Sequence, residues 1–352
     1  MRVVLSSVHC WPDVRRGGER YVHELGAGLL RAGHDVQILS TGRPPRRAEV
    51  LGVPVRRLPV RHLRRYGDLD VEAGFGLQAL AHLGPAAGLG RYDVWHATST
   101  ADGAAAALVG RTGRVRTVFT DHGYPARRSR EQRPDRALHR YLVEHVDAYV
   151  CVSASAGAYL RDDFGRQPVV VPPGVRLDAH ATGRRETRPT LLYAGALTES
   201  RKNVPLLLEA AQLLREDEPD LQVWLLGSGD ASQLLAAVPE GLVTRCGPVD
   251  DVELRAAYAA AWVTVLASTA ESFGMTVVES LASGTPVVVR ADGGGPAEIV
   301  SSEEVGRRAG PSALELAGAC AEALELARRP GTAQRCRERA SEFDWDSAVI
   351  PA

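Results

Sequence analysis

Short β-branched runs alternate with longer amphipathic stretches along most of the chain, and this alternation restricts the fold more than any other feature. A strand over residues 3–8 is followed by a helical stretch over 19–31 with Val22, Leu25, Leu29 and Leu30 on one face. Gly33 stops that helix, and residues 35–40 return as a strand. Further strands are expected at 93–97, 116–120, 148–152 and 169–171, with helices over 102–109, 134–145 and 153–162. From Pro172-Pro173-Gly174 to Arg188-Pro189 the pattern breaks, and Pro, Gly, Arg and Thr dominate. A second series opens with Thr190-Leu191-Leu192-Tyr193-Ala194-Gly195. It continues with strands at 221–226, 243–246, 263–267 and 286–290, and helices at 204–215, 251–260, 275–282, 313–328 and 332–341. Repeated βα units build parallel sheets covered by helices. The expected fold is therefore α/β, with two doubly wound domains in tandem: residues 1–173, a linker over 174–189, a second domain over 190–340, and a closing segment, 341–352. In such sheets ligands bind outside the carboxyl ends of the strands, which makes a cleft between the halves the expected site.

At 352 residues the chain is long enough for two domains of roughly 150 residues each. Its formal net charge of −1 creates no global field that points to nucleic acid or membrane. Cys10, Cys151, Cys246, Cys320 and Cys336 are odd in number and lack CxxC spacing, which argues against a disulfide framework or zinc site and for a reduced cytoplasmic compartment. Residues 1–8 read as a buried first strand and not as a signal peptide, and no apolar run approaches the ~20 residues of a spanning helix. Of the 42 basic residues only Lys202 is a lysine.

Several local constellations carry chemistry. Gly17-Gly18 lies between the first strand and its helix, where glycine lets backbone amides approach an anionic or sugar ligand; the GxGxxG spacing of a dinucleotide site is missing. His122, in Asp121-His122-Gly123, follows a strand at its carboxyl end and is placed to donate a hydrogen bond, whereas His96 reads as a strand or core residue. Arg201 and Lys202 precede a helix near Val204, and two cations there oppose the helix dipole unless an anion sits beside them, a role that a diphosphate would fill. Asp68-Leu69-Asp70 has the DxD form used elsewhere for divalent cations but lacks a preceding apolar strand, and reads as a helix start. Eight arginines between residues 43 and 65 read as a solvated loop, with an anionic acceptor or lipid headgroups as the alternative. The strongest constellation is Glu271-Ser272-Phe273-Gly274-Met275-Thr276-Val277-Val278-Glu279, after a strand and ahead of Gly284-Thr285-Pro286: two carboxylates at a helix entrance, which need partners such as sugar or ribose hydroxyls.

On these motifs the chain resembles the family 4 retaining glycosyltransferases, whose ExFGxxxxE stretch is matched by Glu271, Phe273, Gly274 and Glu279. The likeness extends over Gly17-Gly18, Gly33-His34-Asp35-Val36, His122-Gly123, Arg201-Lys202-Asn203, Gly227-Ser228-Gly229 and Gly284-Thr285-Pro286. It implies the GT-B fold, two Rossmann-like domains facing across a cleft, the first for the acceptor and the second for a nucleotide-sugar donor. By position, Glu279 would hold the donor ribose, and Glu271 with the amides of Phe273, Gly274 and Met275 would bind the transferred sugar. Gly195 and Thr276 fall within the donor-binding segments. Lys202, helped by Arg201, would bind the diphosphate, and Gly18 beside Gly17, with His122, would close on phosphate and sugar. The segment around Phe343-Asp344-Trp345 resembles the family's return to the first domain. One departure is Ala196 after Gly195, where the family usually has arginine. The implied reaction retains anomeric configuration and needs no metal and no cofactor beyond a UDP- or GDP-linked donor; with these motifs and no spanning helix in the sequence, a small soluble metabolite is the expected acceptor. A peripheral enzyme with a lipid-linked acceptor, and a non-catalytic nucleotide-sugar binder, are the alternatives. No nucleic-acid partner is implied.

Overall fold

The computed structural model describes residues 1–11, 13, 17–41, 47–58, 77, 79, 92–123 and 136–351. The chain divides into two compact units, Met1–Gly174 with Trp345–Ala352, and Val175–Asp344. The first contains β1 (Arg2–Ser6), α1 (Gly17–Arg31), β2 (Asp35–Thr41), β3 (Arg47–Val50), β4 (Val53–Leu58), β5 (Val94–Ala97), α2 (Thr100–Gly110), β6 (Arg116–Asp121), α3 (Arg136–His145), β7 (Ala148–Cys151), α4 (Ala154–Phe164) and β8 (Val169–Val170). Among the described residues its sheet has eight strands in the order β3-β4-β2-β1-β5-β6-β7-β8. All neighbours are parallel except β3 and β4, and β1 sits centrally, with Val3 opposite Val36 on one side and Val94 on the other. Because successive side chains leave a strand on opposite faces, Val4 enters the core with Trp95, Phe119 and Leu142, while Val3 and Leu5 enter the one with Val22, Leu25 and Ile38.

The β3–β4 hairpin falls outside the expected elements. It is closed by Leu51 and Gly52, both at positive φ (53° and 78°), the two-residue geometry that matches strand twist. Helix starts differ slightly from expectation: α1 includes both glycines, and α2 begins at Thr100, two residues earlier than read. Asp68 and Asp70 lie outside the described residues, as do most of the arginines between 43 and 65; Arg56 and Arg57 belong to β4, where Arg57 pairs with Asp13 at 2.9 Å.

The second unit contains β9 (Thr190–Ala194), α5 (Val204–Leu214), β10 (Gln222–Leu226), α6 (Ser232–Ala236), β11 (Val243–Gly247), α7 (Asp251–Ala260), β12 (Val263–Leu266), α8 (Met275–Ala282), β13 (Val287–Arg290), α9 (Gly295–Ile299), β14 (Gly306–Ala309), α10 (Ala313–Arg328) and α11 (Thr332–Ser341). Its parallel sheet runs β11-β10-β9-β12-β13-β14. Leu191 and Tyr193 of β9 face a core shared with α5 and α10, whereas Leu192 and Ala194 face Trp224, Ala257 and Tyr258. Both sheet faces are therefore covered, as near-continuous apolar strands require. The segment read as a linker is fastened, from Val175 on, to this second unit. Arg185 donates to the Thr285 hydroxyl (3.1 Å) and Gly284 carbonyl (3.0 Å), and the Trp262 indole donates to the Glu186 carbonyl at 2.8 Å.

Candidate active site

In the second unit, β9 delivers Ala194 and Gly195 to the carboxyl edge of the sheet, and a single 3₁₀ turn, Ser200–Lys202, leads into α5. Asn203, at φ 51°, reverses the chain between turn and helix. The next strand, β12, ends at Leu266, and the loop after it is tied to that turn by the Thr269 N–H donating to the Arg201 carbonyl at 2.9 Å. This brings Glu271 to the two cations. Its Oε2 accepts from Arg201 Nη1 at 2.8 Å, its Oε1 is in direct contact with Lys202 Nζ, and Arg201 Nε reaches Glu199. Burial alone would raise the Glu271 carboxyl, but Lys202 first and Arg201 second outweigh it and hold the carboxyl below its ordinary range. The anion beside the two cations is thus a residue of this chain.

α8 then begins at Met275, with Gly274 before it at φ 103°. A Cβ at Gly274 would lie 2.9 Å from Pro296 Cγ, so both conformation and space require glycine. Phe273 anchors the loop beneath by packing edge-on against Phe343, with ring centroids 5.6 Å apart. Met275 and Thr276 are half-buried at the first turn, and the Thr276 hydroxyl points to the Ala194 carbonyl at 3.4 Å. Glu279, one turn further on, is buried and accepts from the Tyr258 hydroxyl at 3.1 Å.

The remaining expected residues belong to the first unit. Gly17 and Gly18 form the first positions of α1, and a Cβ at Gly18 would touch the His122 ring at 3.6 Å. His122 follows β6, its ring edge-on to Tyr21 (centroids 4.6 Å), and burial lowers its pKa to about 4, leaving it neutral at pH 7. Its Nε2 is shielded from solvent and has no hydrogen-bond partner among the described residues. His96, in β5, is half-buried with Nε2 2.6 Å from the Thr120 hydroxyl, and burial first, with His122 second, lowers its pKa to about 3.

The Glycosyltransferase Family 4 model matches residues 15–179, and the Glycosyl transferases group 1 model matches residues 188–326. A glycogen synthase of Mycobacterium tuberculosis is 30% identical over 392 aligned positions, covering 99% of this chain and 92% of that protein. The chain belongs to the family 4 glycosyltransferases. A D-inositol 3-phosphate glycosyltransferase of Geodermatophilus obscurus is 29% identical, covering 99% of this chain and 87% of that protein. In fold, the sucrose-phosphate synthase of Thermosynechococcus elongatus is similar, with a TM-score of 0.81 at 24% identity over 99% of this chain and 96% of that one. Two α/β units with parallel sheets, similar to that structure throughout, constitute the GT-B fold.

Within this glycosyltransferase, three features near the expected residues escaped sequence reasoning. Tyr258 reaches Glu279 from α7 and leaves no local signal. Asp121 accepts from the Tyr149 hydroxyl (3.1 Å), the Tyr159 hydroxyl (2.5 Å) and the Gly123 N–H (2.9 Å), fixing the turn that carries His122. Gly293 and Gly295 hold Glu271 by its backbone: the Glu271 N–H donates to the Gly293 carbonyl, and the Gly295 N–H donates to the Glu271 carbonyl, both at 2.9 Å. Three consecutive glycines were the available signal.

Proposed function

We propose that this glycosyltransferase moves a sugar from a UDP- or GDP-linked donor to a hydroxyl of a small soluble acceptor, with retention at the anomeric carbon and without a metal ion. The observation that carries the reading is the convergence of Lys202 and Arg201 on Glu271 in the loop that enters α8, with Glu279 buried one turn into that helix. In this reading Lys202 and Arg201 neutralise the diphosphate as its bond to the anomeric carbon breaks, and Arg201 supplies the second positive charge that Ala196 does not. The acceptor oxygen bonds to the anomeric carbon on the face the diphosphate leaves, and its proton passes to a departing phosphate oxygen. The protein's contribution is position and field, so no side chain is assigned as base. Glu271, through its carboxylate, and the amides of Phe273, Gly274 and Met275 are assigned to the transferred sugar, and Glu279 to the ribose. From the first unit, Gly18 and His122 are assigned to phosphate and sugar. A small polar acceptor agrees with the name of the D-inositol 3-phosphate relative. No helix among the described residues is long and apolar enough to cross a membrane.

Thermal denaturation with UDP-glucose, GDP-mannose and ADP-glucose tests the donor site. One of the first two is expected to raise the melting temperature by several degrees at about 100-fold excess over Kd, a stabilisation of ~2.7 kcal/mol, and Glu279→Ala to abolish most of the rise. No shift with any donor, together with no nucleoside diphosphate release, would overturn the reading. Sedimentation with anionic vesicles at low salt is expected to leave the protein in the supernatant; co-sedimentation would replace the soluble acceptor by a lipid-linked one.

A further inference from the structure

Arg290 ends β13, and although it carries a charge its side chain is only 7% exposed. A buried guanidinium is costly unless it is paired with good geometry. Here it forms a two-pronged contact with Asp292, Nε to Oδ1 at 2.7 Å and Nη2 to Oδ2 at 2.6 Å, while Nη1 lies 3.4 Å from the Pro311 carbonyl. The Gly293 N–H donates to the Arg290 carbonyl at 3.1 Å, so ion pair and backbone bond close one tight turn over residues 290–293. The Ala291 N–H, donating to Ala309 at 2.9 Å, fixes that turn to β14.

The turn ends on Glu271. Both backbone polar groups of Glu271 are taken by Gly293 and Gly295, in an isolated parallel bridge centred on Gly294. The approach is close enough that a Cβ at Gly294 would sit 2.5 Å from the Glu271 carbonyl oxygen. Such a bridge holds the Glu271 backbone only as firmly as residues 290–293 hold their own shape.

We propose that Arg290, acting through Asp292 and Gly293–Gly295, is a positioning residue that sets the Glu271 carboxylate against Lys202 and Arg201. This rests on the reading of Glu271 and Lys202 as donor-site residues. The test is a double-mutant cycle of Arg290→Ala and Glu271→Ala, with nucleoside diphosphate release measured from whichever of UDP-glucose, GDP-mannose and ADP-glucose stabilises the protein most. Arg290→Ala alone is expected to lower kcat by about 10-fold, within what a misplaced group costs, with a smaller change in KM. In the Glu271→Ala background the same change should leave kcat unaltered, while the drop in melting temperature is equal in both backgrounds. Arg290→Lys keeps the charge but not the fork, and should recover part of kcat. Should Arg290→Ala fail to fold, Asp292→Asn breaks the same pair from its exposed side and should show the same coupling. An equal loss of kcat in both backgrounds, or no loss in either, overturns the positioning role alone. Unchanged turnover in Glu271→Ala overturns the donor-site reading, and the positioning role with it.

Discussion

Lys202 and Glu271 are both largely buried, so each neutralises a charge that the other would leave stranded, and truncating either is costly in a way that surface ion pairs are not. For Lys202→Ala we expect turnover at least ~10²-fold lower, as for loss of one transition-state donor, in a nucleoside diphosphate release assay; near wild-type rates would remove the diphosphate role. Another buried charge, Asp102, behaves in the opposite sense to Glu271. Burial raises its pKa to about 6, although the hydroxyls of Ser6 and Ser99 and the Ser99 N–H, which donate to it, oppose the rise. The folded protein therefore binds that proton more tightly than the unfolded chain. Its contribution to stability is fully present below the ordinary carboxyl pKa and is lost as pH rises through about 6. Asp102→Asn should accordingly gain on the wild type between pH 4 and pH 7, by on the order of 2–3 kcal/mol in urea unfolding. A difference that stays constant with pH would contradict this. The segments that carry Lys202, Glu271 and Glu279 could be singled out in the sequence because charge beside a glycine turn at a helix start needs a counterpart. The partners were not. Nothing local states that residue 271 lies on residue 202, or that Tyr258 meets Glu279.

Gly274 shows how an element boundary can rest on a single residue. It turns the chain from the Glu271 loop into α8 at φ 103°, against Pro296. Gly274→Ala is expected to cost roughly 1–3 kcal/mol from backbone strain, and to weaken donor binding as the helix start shifts. Both are readable from donor-dependent melting curves, and an unchanged curve would mean that the turn relaxes freely. At this scale the buried parallel strands were readable, because they are continuous apolar runs bounded by Gly and Pro. The missed elements have two physical causes. β3 and β4 interleave arginines with apolar residues, and β14 carries Arg307 and Arg308 at a sheet edge. α6 and α9 span five residues each, too few to display a 3.6-residue period.

At the scale of the whole molecule the chain leaves its first unit at Gly174 and re-enters it at Trp345. Trp345 is 1% exposed, its indole N–H donates to Glu24 at 2.9 Å, and its ring lies 5.6 Å from that of Tyr21; a Cβ at Gly174 would sit 2.3 Å from it. Beyond it, Arg31 pairs with Asp346 at 2.7 Å. Trp345→Ala should destabilise the first unit by about 3–5 kcal/mol, and Trp345→Phe by about 1.5–3 kcal/mol through the lost hydrogen bond to the Glu24 carboxylate. Calorimetry with limited proteolysis of the last residues checks both, and resistance equal to wild type in the alanine variant would show that the segment is not held by this ring. The sequence alone determined the class of architecture and the family. Periodicity along a strand or helix, and a motif of contiguous residues, are properties of neighbours in the chain. Tertiary structure decided that residues 175–189 belong with the second unit, that Trp345 bonds to Glu24, and that Glu271 answers both cations from a loop gripped by Gly293–Gly295. Those outcomes depend on which surfaces and charges are left to satisfy one another once the sheets have formed, and sequence separation carries no record of them.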